Sequence, residues 1–313
     1  PGQWTVAELR SCWPGGQAPT ARTAVFGVLG ERVAGSASPA LFTALFERGG
    51  IDGVYGRFDL ADAGGLLGRL ADGGWPLRGL SVTAPHKQAA WWFGGGDHAP
   101  AEAGVKGLLA YNTLFRAADD ARWRGANTDV LGVRAAVEAL FGEDWFAKPR
   151  SVCVLGAGGA ARAVLRALAD PRATARWEPW LAAWRAGAKA LPPLDSAPDA
   201  PSEPGAPAAI ELAVLARKPK RAMVLAREFG AGFGHFDDLE MLAPDLIVHT
   251  TQAGSPASRE RHHWLPGPAA LAALAERAPH CRILDANYKP DPTPLVAAAR
   301  QLGLSAATGR LWF

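Results

Sequence analysis

A glycine-rich turn between an apolar run and an amphipathic stretch constrains the fold more than any other feature of this sequence. The apolar run is residues 151–155, the turn reads GAGGAA from Gly156, and the amphipathic stretch covers residues 161–168. The pattern predicts a buried strand, a tight turn and a helix. Such a turn lets a nucleotide pyrophosphate approach the amides of a helix N-terminus, although a purely structural turn gives the same pattern.

Short apolar runs alternate with helical stretches along the rest of the chain. The predicted strands are residues 23–29, 53–58, 79–83, 151–155, 210–215, 245–250 and 282–285, and residues 40–48 and 63–71 are predicted helices. Repeated β and α units predict an α/β fold with mostly parallel sheets. We place a boundary near Pro149, which gives a segment 1–22, a domain 23–149 and a domain 150–313.

Composition excludes several classes of protein. The chain has 33 Lys and Arg against 30 Asp and Glu, and its net charge of +3 favours neither nucleic acid nor an anionic membrane as partner. No apolar run reaches the roughly 18 residues of a membrane span and no signal pattern opens the chain, so we expect a cytoplasmic protein. The three cysteines lie far apart without metal-ligand spacing, so neither a disulfide framework nor a metal site is expected. Residues 171–209 are rich in Pro and Ala and predict an insertion whose second half is disordered.

Basic residues follow the strand predicted at residues 210–215. Arg217, Lys218, Lys220 and Arg221 surround Pro219, and no acidic residue is present there to bind an unmodified ribose. The cluster favours a 2′-phosphate, and hence NADP over NAD, unless it is a solvated basic turn. It lies further from the glycine turn than the usual ~20 residues, and the insertion explains the excess.

Polar side chains follow the predicted strands of the first half. Ser36 and Ser38 lie in a loop before a helix, where their hydroxyls either donate to a polyol or carboxylate or cap the helix. Lys87 follows Thr83 just past a strand end, which is where α/β sheets bind ligands. Asp129 ends the polar triplet at residues 127–129 (NTD). Lys87 and Asp129 could form a proton-transfer pair beside a hydroxyl that is oxidised, and a solvated surface lysine is the alternative.

Seven motifs together resemble shikimate dehydrogenase. In chain order they are GERVAGSASP, SVTAPHK, LAYNTL, GANTD, LGAGGAARA, ARKPKRA and LDANYKPDPTPL. The resemblance covers residues 23–313. It implies an N-terminal substrate domain, a C-terminal Rossmann domain that binds NADP and a cleft between them, where NADPH reversibly reduces 3-dehydroshikimate to shikimate in aromatic amino acid biosynthesis. Residues 1–10 are similar to the closing segment of a type I dehydroquinate dehydratase, so the resemblance also implies a fused dehydratase domain upstream, as in the multifunctional arom protein.

The resemblance assigns roles to individual residues. Lys87 corresponds to the catalytic lysine and Asp129 to its acidic partner, since a growing alkoxide needs a proton donor. The substrate-binding positions are Ser36, Ser38, Thr83, Asn112 and Tyr288. The cofactor-binding positions are Gly156, Ala157, Gly158, Gly159, Ala160, Arg217, Lys218, Arg221, Thr250 and Gly309.

Departures from the family pattern leave alternatives open. Residues 249–255 (HTTQAGS) lack the Asn and Met commonest in the family, and Ser81 stands where single-domain members usually have Asn. The chain stops at Phe313, before the family's last helices bring a glutamine to the substrate, so we expect truncated C-terminal helices. A quinate/shikimate dehydrogenase that uses NAD is one alternative. A non-catalytic metabolite sensor is another, and the presence of both Lys87 and Asp129 argues against it.

Overall fold

The computed structural model describes residues 20–72, 76–95, 108–116, 122–142, 145–146, 148–169, 210–255 and 266–312. They form two compact units that divide between Thr128 and Asp129. This division precedes the boundary predicted near Pro149, because the helix that begins at Asp129 packs against the helix after the glycine turn. The predicted insertion at 171–209 and residues 1–19 of the predicted first segment lie outside the described residues.

Unit 1 contains a five-stranded sheet with the order β2-β1-β3-β4-β5. Strand β1 pairs in parallel with β2 and β3, and β4 pairs antiparallel with β3 and β5. The antiparallel pair is short and extends the predicted parallel sheet at one side. The strands are β1 (Ala24–Gly30), β2 (Gly53–Asp59), β3 (Leu77–Val82), β4 (Thr113–Phe115) and β5 (Arg124–Ala126). The helices are α1 (Ser38–Gly49), α2 (Gly64–Ala71) and α3 (Lys87–Phe93).

Unit 2 contains six parallel strands with the order β11-β10-β9-β6-β7-β8. The strands are β6 (Arg150–Leu155), β7 (Ile210–Leu215), β8 (Gly232–Gly234), β9 (Leu246–His249), β10 (Arg282–Asp285) and β11 (Ser305–Thr308). The helices are α4 (Asp129–Phe141), α5 (Gly159–Ala169), α6 (Pro219–Phe229), α7 (Pro268–Arg277) and α8 (Pro294–Gln301). The chain leaves β6 toward β7 on one side and later resumes at β9 on the other. This order is that of a Rossmann sheet, and its topological switch point lies between β6 and β9.

The core of unit 2 explains why its strands read as continuous apolar runs. Strands β6, β9 and β10 are central, and their side chains contribute Leu155, Ile247 and Ile283 to one fully buried cluster with Leu271 and Leu295 of the covering helices. A parallel sheet covered by helices on both faces needs apolar residues at successive positions, which a strand exposed on one face does not. The core therefore fixes the carboxyl ends of these strands, the edge at which α/β sheets in general bind ligands. Each helix within the described residues is too short or too polar to span a bilayer.

Candidate active site

In unit 1, two serine hydroxyls lie side by side after β1. A short 3-10 turn, Val33–Gly35, ends at Ser36, and Ser38 begins α1. Ser36 Oγ donates to Ser38 Oγ at 3.2 Å, and the backbone N–H of Ser38 donates to Ser36 Oγ at 3.2 Å. Both residues are half-buried, so the pair presents two hydroxyls in a fixed arrangement. Neighbouring hydroxyl donors of this kind suit the two oxygens of a carboxylate.

Two residues of β2 that the sequence did not single out support this serine pair. Tyr55 Oη donates to Ser81 Oγ at 2.7 Å and also has a hydrogen bond with Ser38, while its ring stacks on Phe42 with centroids 4.4 Å apart. Burial raises the pKa of the Tyr55 phenol, and the hydrogen bonds with Ser81 and Ser38 oppose this shift. Arg57 Nη2 donates to the carbonyl oxygen of Ser36 at 3.2 Å. The period of two along a strand puts residues 55 and 57 on one face, and this spacing is the signal that could have found them.

Thr83 and Lys87 lie on one turn at the carboxyl end of β3. The N–H of Thr83 donates to the carbonyl of Leu29 at 2.8 Å, so this turn stays beside β1. His86 is buried, and its Nε2 lies 2.7 Å from the carbonyl oxygen of Leu60, which fixes the turn just before Lys87. Lys87 begins α3 and is half-buried, whereas Thr83 is exposed. A half-buried lysine on a turn that hydrogen bonds hold in place is better oriented for proton transfer than a solvated surface lysine.

Asn112 lies beside the same strand end. Its carbonyl accepts the N–H of Val82 at 2.6 Å, which places it next to the last residue of β3. Its side chain shares three hydrogen bonds with Thr128. Asn112 Nδ2 donates to Thr128 Oγ1 at 2.9 Å, and Asn112 Oδ1 accepts from Thr128 N at 2.9 Å and from Thr128 Oγ1 at 3.3 Å. Unit 1 thus brings Ser36, Ser38, Thr83, Lys87 and Asn112 to the carboxyl edge of β1 and β3. Asp129 belongs to unit 2, where it is buried and begins α4.

In unit 2, the glycine turn follows β6 at the switch point. Gly156 has φ 120°, and a Cβ added there would lie 2.5 Å from Thr250 Oγ1. Thr250 Oγ1 in turn donates to the carbonyl of Leu155 at 2.9 Å, so the turn and the end of β9 are joined. A Cβ on Gly158 would meet no atom within 4 Å, which leaves open space before the N-terminus of α5. The turn therefore has the form of a phosphate cradle.

The predicted basic cluster follows the neighbouring strand, as the sequence indicates. The N–H of Gly156 donates to the carbonyl of Leu215 at 2.8 Å, so the end of β7 adjoins the glycine turn. Arg217, Lys218 and Arg221 come directly after β7 and are exposed. These residues fit the phosphates of NADP: the turn leaves room for the pyrophosphate and the cations lie one strand away, where a 2′-phosphate is bound.

Tyr288 and Gly309 lie on the same edge of unit 2. The N–H of Gly309 donates to the carbonyl of Asn287 at 3.0 Å, and a side chain at Gly309 would collide with the backbone of Ala286. Tyr288 is half-buried, with Lys289 Nζ 5.7 Å from its ring centroid. Gly309 and the segment after β10 are thus held in contact. The described residues contain no group of three or more His, Cys, Asp or Glu side chains that could hold a metal ion.

The similarity to known proteins decides the family. The curated shikimate dehydrogenase (NADP(+)) of Acidiphilium cryptum is 34% identical over 287 residues, which cover 90% of this chain and 83% of that protein. The chain belongs to the shikimate dehydrogenase family. Shikimate dehydrogenase (NADP(+)) of Citrifermentans bemidjiense is 32% identical over 93% of this chain and 86% of its own length. The family model of the shikimate dehydrogenase substrate binding domain matches residues 28–104.

Solved structures of shikimate dehydrogenases have the same fold. The enzyme of Thermus thermophilus, solved with NADP(H) and shikimate, superposes with a TM-score of 0.64 at 26% identity, and the match covers 92% of this chain and 88% of that one. The enzyme of Aquifex aeolicus gives a TM-score of 0.68 at 21% identity over 94% of this chain and 90% of its own. The predicted α/β fold and the predicted family are therefore confirmed.

Proposed function

We propose that this chain is an NADP-dependent shikimate dehydrogenase, which reversibly reduces 3-dehydroshikimate to shikimate. The observation that carries the proposal is the carboxyl edge of unit 1, where two serine hydroxyls, Thr83, Lys87 and Asn112 come together in a chain of this family. A small hydroxylated acid needs donors for its carboxylate, partners for its ring hydroxyls and one group that transfers a proton. This edge contains residues of all three kinds.

The reduction needs a hydride at the substrate carbonyl carbon and a proton at its oxygen. NADPH, when bound, supplies the hydride. The Lys87 ammonium donates the proton to the oxygen as the C=O bond becomes a C–OH bond, and it accepts the proton in the reverse direction. Asp129 is the acidic catalytic residue in this proposal, Ser36 and Ser38 bind the carboxylate, and Thr83, Asn112 and Tyr288 bind the ring.

The residues of unit 2 support NADP as the cofactor. Gly156, Ala157, Gly158, Gly159 and Ala160 would hold the pyrophosphate, while Arg217, Lys218 and Arg221 would bind the 2′-phosphate. Thr250 and Gly309 would lie toward the nicotinamide end. The curated relatives carry NADP(+) in their names, which agrees with this assignment.

Replacement of Lys87 tests the proposal. Lys87→Ala should lower kcat for shikimate oxidation by about 10²- to 10⁴-fold, because it removes the proton-transfer group, while the Kd for shikimate changes little. The measurement is NADPH absorbance with shikimate and NADP, together with calorimetry of shikimate binding. Lys148→Ala is the matched control, since Lys148 is exposed and outside the site.

Three results would contradict the assignment in different ways. Full activity of Lys87→Ala would show that this lysine is not catalytic. Turnover of quinate with NAD in preference to shikimate with NADP would show that the proposed substrate and cofactor are wrong. Shikimate binding without any turnover by the unmodified chain would show that the protein is a metabolite sensor, an interpretation that the unusual residues 249–255 favour.

We also propose that a dehydroquinate dehydratase domain precedes this one. The proposal rests on the similarity of residues 1–10 to the closing segment of that enzyme, and these residues lie outside the described part of the chain. An assay of the full-length natural protein for dehydration of 3-dehydroquinate tests it, and absence of that activity would contradict it.

A further inference from the structure

A buried histidine and aspartate lie opposite each other at the carboxyl ends of β9 and β10. His249 and Asp285 are partners in the parallel register, and the two residues are 0% and 1% exposed. His249 Nδ1 lies 2.9 Å from Asp285 Oδ1. Ionisable groups are costly to bury unless they are paired and hydrogen-bonded, so a pair at this depth needs a fully satisfied environment.

The remaining polar atoms of the pair bind the loops that follow the two strands. His249 Nε2 lies 2.6 Å from Thr251 Oγ1. Asp285 Oδ1 accepts the backbone N–H and the side-chain Nδ2 of Asn287 at 3.0 and 3.1 Å, and Asp285 Oδ2 accepts the hydroxyl of Thr293 at 2.7 Å. Each side-chain oxygen and nitrogen of the pair is therefore used, and most of the partners belong to loops.

Asn287 closes the network between the two loops. Its Nδ2 also donates to the carbonyls of Thr251 at 3.0 Å and Ala253 at 3.3 Å. The N–H of Ala253 donates to Thr251 Oγ1 at 3.2 Å. The loop that starts at Thr250 and the segment that starts at Ala286 are thus tied to each other and to the buried pair.

The loop after β9 lies against the glycine turn. A Cβ on Gly156 would lie 2.5 Å from Thr250 Oγ1 and 3.1 Å from Thr251 Cγ2, so both threonines contact the turn. Further along the same edge of the sheet, the carbonyl of Asn287 accepts the N–H of Gly309. A shift of His249 would therefore move the loops that follow β9 and β10 along one edge of the proposed dinucleotide site.

We propose that His249 is a positioning residue for cofactor binding, which acts through Asp285, Thr251 and Asn287 to fix the loops at the nicotinamide end of the site. The inference rests on the proposed function for the identity of the ligand. His249 opens the stretch 249–255, which departs from the family pattern. The imidazole of His249 links the two residues, because its Nδ1 faces Asp285 and its Nε2 faces Thr251.

Two amide substitutions separate the two halves of this link. His249→Asn retains a group near the Nδ1 position, which faces Asp285, and His249→Gln retains a group near the Nε2 position, which faces Thr251. Thr251→Val removes the loop hydroxyl while leaving the buried pair intact, so this variant remains informative if substitution of His249 prevents folding.

The experiment compares two ligands by calorimetry. NADPH occupies the whole site, whereas adenosine 2′,5′-bisphosphate carries the 2′-phosphate and one phosphate of the pyrophosphate but lacks the nicotinamide half. His249→Gln and Thr251→Val should weaken NADPH binding by about tenfold or more, because small misplacements of binding groups have large effects, and should leave the Kd of the bisphosphate within about twofold of wild type. The preserved bisphosphate binding also shows that unit 2 is folded.

Other outcomes overturn the inference. Unchanged NADPH binding and kcat, with only a lower melting temperature, would show that the network is merely structural. An equal loss for both ligands would show general damage rather than positioning. Wild-type protein that binds neither ligand would overturn the proposed cofactor itself, which distinguishes that failure from a failure of the role of His249.

Discussion

Among single residues, two glycines of the turn differ in the space around them. Gly156 has φ 120°, a region that residues with a Cβ rarely adopt, and Thr250 Oγ1 occupies the space beside it. Gly158 differs, because its surroundings are open. The two glycines thus differ: the backbone path requires Gly156, whereas Gly158 leaves open space for the ligand proposed above.

This difference gives a prediction for two matched variants. Gly156→Ala should lower the free energy of unfolding by about 1–3 kcal/mol, because it combines backbone strain with a collision. Gly158→Ala should leave the free energy of unfolding nearly unchanged but weaken NADPH binding, because its methyl group would enter the space needed by the pyrophosphate. Urea denaturation and NADPH titration of both variants provide the check. Equal stability loss in both would contradict the distinction.

Among the helices and strands, α6 and the strand before it carry the cations that we propose select the cofactor. Arg217 and Lys218 precede α6, and Arg221 lies in its first turn, whereas Arg227 lies in its last turn and is also exposed. Cations near a 2′-phosphate stabilise NADP selectively, because NAD has no group there. Arg227, at the far end of α6, therefore serves as an internal control.

Removal of these cations should therefore weaken the preference for NADP over NAD. The variant Arg217→Ser with Arg221→Ser should raise KM for NADP by about tenfold or more while KM for NAD changes by less than about threefold. Arg227→Ser should affect neither value. Parallel steady-state assays with the two cofactors measure this, and a proportional rise of both KM values would contradict a role in 2′-phosphate recognition.

Across the molecule, local patterns predicted the central strands, and contacts between distant segments determined what the sequence missed. Seven of the eleven strands in the described residues, and the glycine turn, followed from runs of apolar and small residues, which are local signals. The short strands β4, β5, β8 and β11 were not predicted, because their pairing with distant strands defines them. The link between His249 and Asp285 joins positions far apart in the chain, and both residues lie in apolar runs that otherwise read as buried strand. Tyr55 was missed for a related reason: its role depends on Ser81 of another strand.

Two buried thiols and a buried phenol, from both units, affect the free energy of unfolding at alkaline pH. Burial raises the pKa of Cys153, raises that of Cys281 to about 12, and raises that of Tyr55, whereas ordinary values are 9.0 for Cys and 10.0 for Tyr. The folded state therefore retains these protons more tightly than the unfolded state. The stability that this contributes is complete below the unfolded pKa values and is lost as pH rises through the folded ones.

We therefore expect the free energy of unfolding to fall from about pH 8 to pH 11, with part of the slope due to these groups. The double variant Cys153→Ala with Cys281→Ala should be less stable at neutral pH because of the cavities, yet its stability should fall less steeply over this range. Urea denaturation of both proteins at several pH values gives the two slopes. Because lysines and tyrosines titrate equally in both proteins, the difference between the slopes isolates the thiols, and identical slopes would show that their burial does not control alkaline unfolding.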